Sequence, residues 1–172
     1  MKTCLTLVLM FVGFLSFGQN PLEKAFTPFV GGTWLCDTTW SNGQAFKQEI
    51  SYAFDLKTNI VQVTTLGFLD PAGTNYGKRN HGIRYLDPQM KELQFIEFDV
   101  YGGVTTGGCM LKGDSLLYEY AYDTKMGMTW MTEMYIPIDK NTFQYQIGVY
   151  ENGQWVNKYM DAYFRRKSPK NQ

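Results

Sequence analysis

Histidine is almost missing from this chain. Of 172 residues, one is His, at position 81, and three are Cys. Zinc centres and activated Ser or Cys nucleophiles draw on those side chains. Their scarcity removes most metal-centred and nucleophilic chemistry. There is no Gly-x-Ser-x-Gly elbow, no His-x-x-x-His or Cys-x-x-Cys spacing, no phosphate loop and no calcium loop. With one His, a Ser or Cys nucleophile can pair only with His81, so no catalytic residues and no metal ligands are assigned. An excess of either charge is missing too. Sixteen basic residues face 16 acidic ones, and the formal net charge is zero. That balance offers no electrostatic case for nucleic acid or an anionic membrane as partner. The cluster Arg165-Arg166-Lys167 with Lys170 is short, lacks interleaved aromatics and reads as a solvated terminus.

Long apolar runs are limited to the first residues. Lys2 precedes an uncharged apolar stretch from Leu5 to Phe17, and Ser16-Phe17-Gly18 places small residues at a cleavage site. This is the build of a secretory signal peptide over 1–18. The stretch falls short of the roughly 20 apolar residues that a membrane span needs. No Cys follows it to carry a lipid, since Cys4 lies before it. The expectation is a soluble periplasmic or extracellular protein, cut near Gly18 and beginning at Gln19. Cys36 and Cys109 survive that cut, and export permits a disulfide between them. The other reading is a pair of small buried hydrophobes. Nothing in the sequence sets the oligomeric state.

What remains is one domain, with a lead-in over 19–30, a body over 31–167 and a disordered tail over 168–172. In the lead-in, Pro21 suits a first helical position, and Leu22 to Phe26 can turn before Pro28 stops them. From Thr33 the apolar period becomes two, with turn signals every 8–14 residues. Ten strands are expected, over about 33–40, 45–54, 60–69, 80–86, 92–101, 104–112, 115–123, 128–138, 142–150 and 154–166. Asn42-Gly43 and Asn152-Gly153 are hairpin turn signals. Asp70 to Lys78, with Pro71, Gly73 and Gly77, is the longest loop and a candidate rim or lid. The pairs Gly102-Gly103 and Gly107-Gly108 suggest bulges or bends. No connection is long enough for a parallel crossover. The fold class is therefore all-β, a single up-and-down antiparallel barrel of about ten strands with a short N-terminal helix. Closure removes exposed sheet edges. A sandwich is the alternative, though it usually needs longer Greek-key links.

Gly32-Thr33-Trp34 opens the first strand and Phe164-Arg165-Arg166 closes the last. This pairing resembles the calycin plan of lipocalins and fatty-acid-binding proteins. The resemblance implies that Trp34 sits at the closed end facing inward, with Arg165 or Arg166 across its ring as a structural clasp. It also implies that the short helix plugs that end, using Phe26 and Phe29. Trp40-Ser41-Asn42-Gly43, Gly82-Ile83-Arg84 and Glu97-Phe98-Asp99 look most like uncharacterised bacterial secreted lipocalin-like domains, which bring no known ligand.

Aromatic residues make up 16% of the chain, including 12 Tyr. A buried Tyr needs a partner for its hydroxyl, so such a barrel either packs solid or encloses an amphipathic cavity. Candidate ligand-binding residues are Gln48, Tyr52, His81, Arg84, Tyr118, Tyr120 and Trp130, with Tyr122 on the same face as Tyr118 and Tyr120. His81 shares a strand face with Ile83 and Tyr85; it suits an ordinary rim or core position, or the axial position of a haem. No other cofactor is implied. Glu97 and Asp99 share a face about 7 Å apart, a spacing that acid–base chemistry uses. Ile96 and Phe98 read as the inward pair, which turns those carboxylates to water. Arg84 either clamps a ligand carboxylate at the rim or pairs with Glu97 on the outside. Three functions follow: a barrel binding a small hydrophobic or amphipathic ligand, an isomerase or hydrolase on the same barrel, or an interaction module with a filled core.

Overall fold

The structure is a computed structural model that describes residues 20–124 and 127–167. The expected signal peptide and C-terminal tail lie outside the described residues. The chain enters through a short helix, α1 (Pro21–Phe26), with Pro21 in its first turn. Asn20 caps it, its side-chain oxygen accepting the Leu22 amide at 3.0 Å. Six residues do not hold a helix alone. Burial of Leu22, Phe26 and Phe29 under the barrel does so.

Ten strands follow: β1 (Thr33–Thr39), β2 (Ala45–Asp55), β3 (Ile60–Phe68), β4 (Tyr76–Leu86), β5 (Leu93–Asp99), β6 (Val104–Lys112), β7 (Ser115–Thr124), β8 (Gly127–Asp139), β9 (Thr142–Glu151) and β10 (Gln154–Arg166). Each pairs antiparallel with its sequence neighbours, and β1 also pairs with β10 through Trp34↔Arg166 and Leu35↔Arg165. The sheet is thus a closed up-and-down antiparallel barrel.

The strand limits follow the sequence pattern closely, with one larger difference. β4 begins at Tyr76, so the expected Asp70–Lys78 loop shrinks. Asp70 folds it inward: its carboxylate accepts the amides of Thr74 and Asn75 and the Thr74 hydroxyl. Those bonds, the Thr74 amide foremost, pull its pKa down to about 2. The paired glycines do not bulge the ladder. Register shifts occur instead at Thr65/Leu66, at Pro137/Asp139 and twice along β10. Gly107 serves close approach: a Cβ there would meet Phe95 Cε1 at 2.8 Å and Tyr120 Cβ at 2.9 Å.

The barrel has two unlike halves. The end covered by α1 is dry. Trp34 lies 4.9 Å from Phe143, and Phe143 stacks on Phe164 at 5.0 Å. The indole Nε1 donates to the Phe29 carbonyl at 2.7 Å. Of the two candidate arginines, Arg166 covers Trp34, at 4.3 Å from the ring, and it also donates to the carbonyls of Pro28 and Val30. Arg165 points to solvent. Cys36 and Cys109 are buried, unbridged thiols. Burial foremost pushes their pKa values up to about 11 and about 12.

Candidate functional site

Above this dry end the barrel is hollow. A cavity of about 600 Å³ runs from a floor near Tyr52, Tyr135 and Tyr145 to the opposite mouth. The mouth is bordered by the β1–β2 turn at Trp40–Gln44, by Arg79, and by Asp99 and Tyr101. Strand alternation decides which side chains reach the lumen. On β2 these are Phe46, Gln48, Ile50 and Tyr52; on β7 they are Tyr118, Tyr120 and Tyr122. Arg84 reaches in from β4.

Three expectations about facing are corrected. Trp130 is 71% exposed on the outer face, because Thr129, Met131, Glu133 and Tyr135 take the inward positions of β8. His81 alternates with Gly82 and Arg84 and stays outside the cavity, where its Nδ1 lies 3.2 Å from the Thr64 hydroxyl. On β5 the parity is reversed: Phe98 is 53% exposed, while Phe95, Glu97 and Asp99 line the cavity.

The reversal on β5 produces an internal ion pair. Arg84, only 5% exposed, donates from Nη2 to Glu97 Oε2 at 2.6 Å and from Nε to the Tyr118 hydroxyl at 3.3 Å. Asn80 donates to the other Glu97 oxygen at 2.6 Å. The guanidinium lies 5.2 Å from the rings of both Phe95 and Tyr118. Burial works against its charge, but Tyr118 and Glu97 outweigh burial and hold Arg84 protonated. Gly82 makes room for this head group: a Cβ there would lie 2.8 Å from Arg84 Nη1. Among the described residues, Nη1 and Asn80 Oδ1 have no hydrogen-bond partner.

A second carboxylate, Glu133, stands deeper. The Tyr120 hydroxyl donates to Oε1 at 2.9 Å and the Tyr135 hydroxyl to Oε2 at 2.8 Å. Tyr145 is also within hydrogen-bonding reach. Burial, and then the negative charge of Glu97, raise the Glu133 pKa above its ordinary value. Burial likewise lifts Tyr118, Tyr120, Tyr135 and Tyr145 well above the usual phenol range, so they remain neutral donors. The sequence reading passed over Glu133 and Phe95. A signal was present, since Glu133 alternates with Met131 and Tyr135 on an otherwise apolar face. Among the described residues no cluster of three or more His, Cys, Asp or Glu is arranged to hold a metal ion. Nor is any helix among them long and apolar enough to cross a membrane.

No protein-family model matches this chain, and no curated protein matches it in sequence. Among solved structures, the barrel is similar to the crystal structure of Rv2717c from M. tuberculosis. The TM-score is 0.52 and the identity 16%, over 87% of this chain and 99% of that one. The likeness is one of fold. It reaches nearly the whole of both chains, so the closed barrel is common to them, while the cavity's polar groups are argued from this chain alone.

Proposed function

We propose that this protein binds a small amphipathic molecule inside its barrel, acting outside the cytoplasm after removal of the N-terminal segment near Gly18. The observation that carries this reading is the cavity of about 600 Å³, open at the end away from α1. Small-molecule sites usually fall between roughly 300 and 1,000 Å³, with apolar walls and a few convergent polar groups. Phe95, Ile50, Val63 and Ile147 supply apolar wall, and Arg84, Glu97 and Glu133 supply the polar groups. Burial of apolar ligand surface contributes about 25 cal/mol per Å². A filled-core interaction module accounts less well for such a space.

The test is native mass spectrometry of the protein purified from its own cells, followed by thermal-shift screening with amphiphiles. A retained small molecule, or a raised melting temperature with an amphiphile, is the expected result. A bare polypeptide mass together with no thermal response to any amphiphile overturns the reading. N-terminal sequencing of the exported protein checks the cut.

One observation favours a second reading, an enzyme on the same barrel. Glu97 and Glu133 share a cavity but differ in setting, one paired with a cation and one with raised proton affinity. Acid–base catalysis exploits such a split.

A further inference from the structure

This inference rests on the reading of the lumen as a site for an amphipathic molecule, and it concerns the head group of that molecule. The deep charged groups of the cavity are Arg84, Glu97 and Glu133. Arg84 and Glu97 neutralise each other at 2.6 Å. Glu133 forms no ion pair among the described residues. Its partners are neutral phenols, and each carboxylate oxygen accepts one phenol hydroxyl. A carboxylate has about four lone-pair sites, so accepting capacity remains even with Tyr145 also within reach.

At that depth an anionic head group has nothing comparable to meet, Arg79 standing at the mouth. The charge of Arg84 is matched by Glu97, and its remaining Nη1 is packed beside Gly82 with no accessible surface. Around Glu133 stand aromatic rings instead. Tyr118 and Tyr135 lie 5.3 Å apart, Tyr135 and Tyr145 5.1 Å apart, and Tyr120 contributes its ring alongside Phe95. Carboxylate and aromatic rings together attract an organic cation, through its charge and through the ring quadrupoles.

The geometry points to a ligand that carries a single organic cation, an amine or quaternary ammonium group, on an apolar body. The cation is held at Glu133 among Tyr120, Tyr135 and Tyr145, and the body fills the lumen toward the mouth. Proton balance follows from the setting of Glu133. Burial, and then the charge of Glu97, raise its proton affinity, so without a cation the neutral acid persists to higher pH than for an ordinary carboxylate. An entering cation restores the carboxylate, and the displaced proton leaves to solvent. Affinity for a permanent cation therefore rises with pH, starting above the ordinary carboxylate value. Of the other titratable groups facing Glu133, the phenols of Tyr52, Tyr120, Tyr135 and Tyr145 stay neutral, Arg84 stays charged and Glu97 remains tied to Arg84.

The experiment is calorimetric titration of the purified protein with three probes of one chain length: decyltrimethylammonium, decanol and decanoate, each below its micellar concentration. The cation is expected to bind one-to-one about tenfold or more tightly than decanol, with decanoate weakest. Glu133→Gln, which keeps the shape and an acceptor oxygen, is expected to lose about tenfold or more for the cation and to leave decanol within about twofold. Equal affinity for all three probes, tighter binding of decanoate, or a Glu133→Gln variant that binds the cation like wild type overturns the cation assignment. Decanol binding still supports an interior site in those cases. If none of the three binds the folded protein, the interior-ligand reading fails and the assignment falls with it. Should the variant fold poorly, wild type decides alone. Its cation affinity must rise as pH increases above the ordinary carboxylate value of 4.5 while decanol affinity stays level, and a level cation profile overturns the proposal.

Discussion

The closed end and the open half of this barrel are made by the same ten strands with opposite chemistry. At the closed end Phe29, Trp34, Phe143 and Phe164 pack ring against ring, and the one cation, Arg166, lies over the outer face of Trp34. In the open half, the walls carry Arg84, Glu97 and Glu133 beside phenol hydroxyls, around space that no side chain fills. Burying charge works against stability unless each charge is matched. The closed end therefore favours stability, and the open half carries an electrostatic cost in its buried charges. A fold selected only for robustness would have filled the second half like the first.

The sharpest way to break the comparison is at the dry end. Trp34→Ala removes the ring that Phe29, Phe143 and Arg166 all touch. It should cost about 3–5 kcal/mol of unfolding free energy, measured by denaturant titration. A cost under about 1 kcal/mol would mean that the closed end does not dominate stability.

Next in size is the ion pair. Glu97→Leu leaves Arg84 buried without its counter-charge, and should cost about 3 kcal/mol. The double change Arg84→Met with Glu97→Leu should recover most of that loss, because it removes both buried charges together. If the double variant is as unstable as the single one, packing rather than charge holds this corner of the cavity.

Arg166→Met tests the clasp. It removes a cation–π contact worth about 0.5–2 kcal/mol and hydrogen bonds to two carbonyls of the lead-in. The melting temperature should fall, and the affinity for any lumen ligand should not change. Arg165→Met, at the neighbouring solvent-facing position, should leave both as they are.

Strand count, connectivity and the clasp were legible because they depend on local signals: period-two alternation, Asn-Gly turns, and a Trp–Arg pair brought together by closure. Facing was legible on β2 and β7, whose candidates Gln48, Tyr52, Tyr118 and Tyr120 do reach the cavity. It failed on β5 and β8. On these two strands the outer surface carries Phe98 and Trp130, while the inner one carries Glu97 and Glu133. Hydrophobicity there points the wrong way. Those two strands carry the carboxylates of the cavity, so the lining was misread where its inner face is the more polar one. One of the two readings of Arg84 paired it with Glu97 on the outside; the pair forms, but inside the wall. Gly82, two residues before Arg84 on the same face, was the local sign that a large head group needed room inside.

The gentlest test of the two halves is the pH dependence of stability. Glu133 has a raised pKa in the folded protein, with burial the main cause. The folded state therefore holds a proton that the unfolded chain releases near the ordinary carboxylate value of 4.5. The associated stability is fully present below that value and is lost as pH rises through the folded pKa. Glu133→Gln cannot titrate, so its stability should be flatter across that window and should exceed wild type at the upper end. Arg166→Met should shift the whole wild-type profile downward without changing its shape, because the clasp lies in the other half. Thermal melts of the three proteins across the acidic-to-neutral range separate these outcomes. A Glu133→Gln profile parallel to wild type would mean that Glu133 is as well solvated as a surface carboxylate, and the open half would then lose its claim to a stored electrostatic cost.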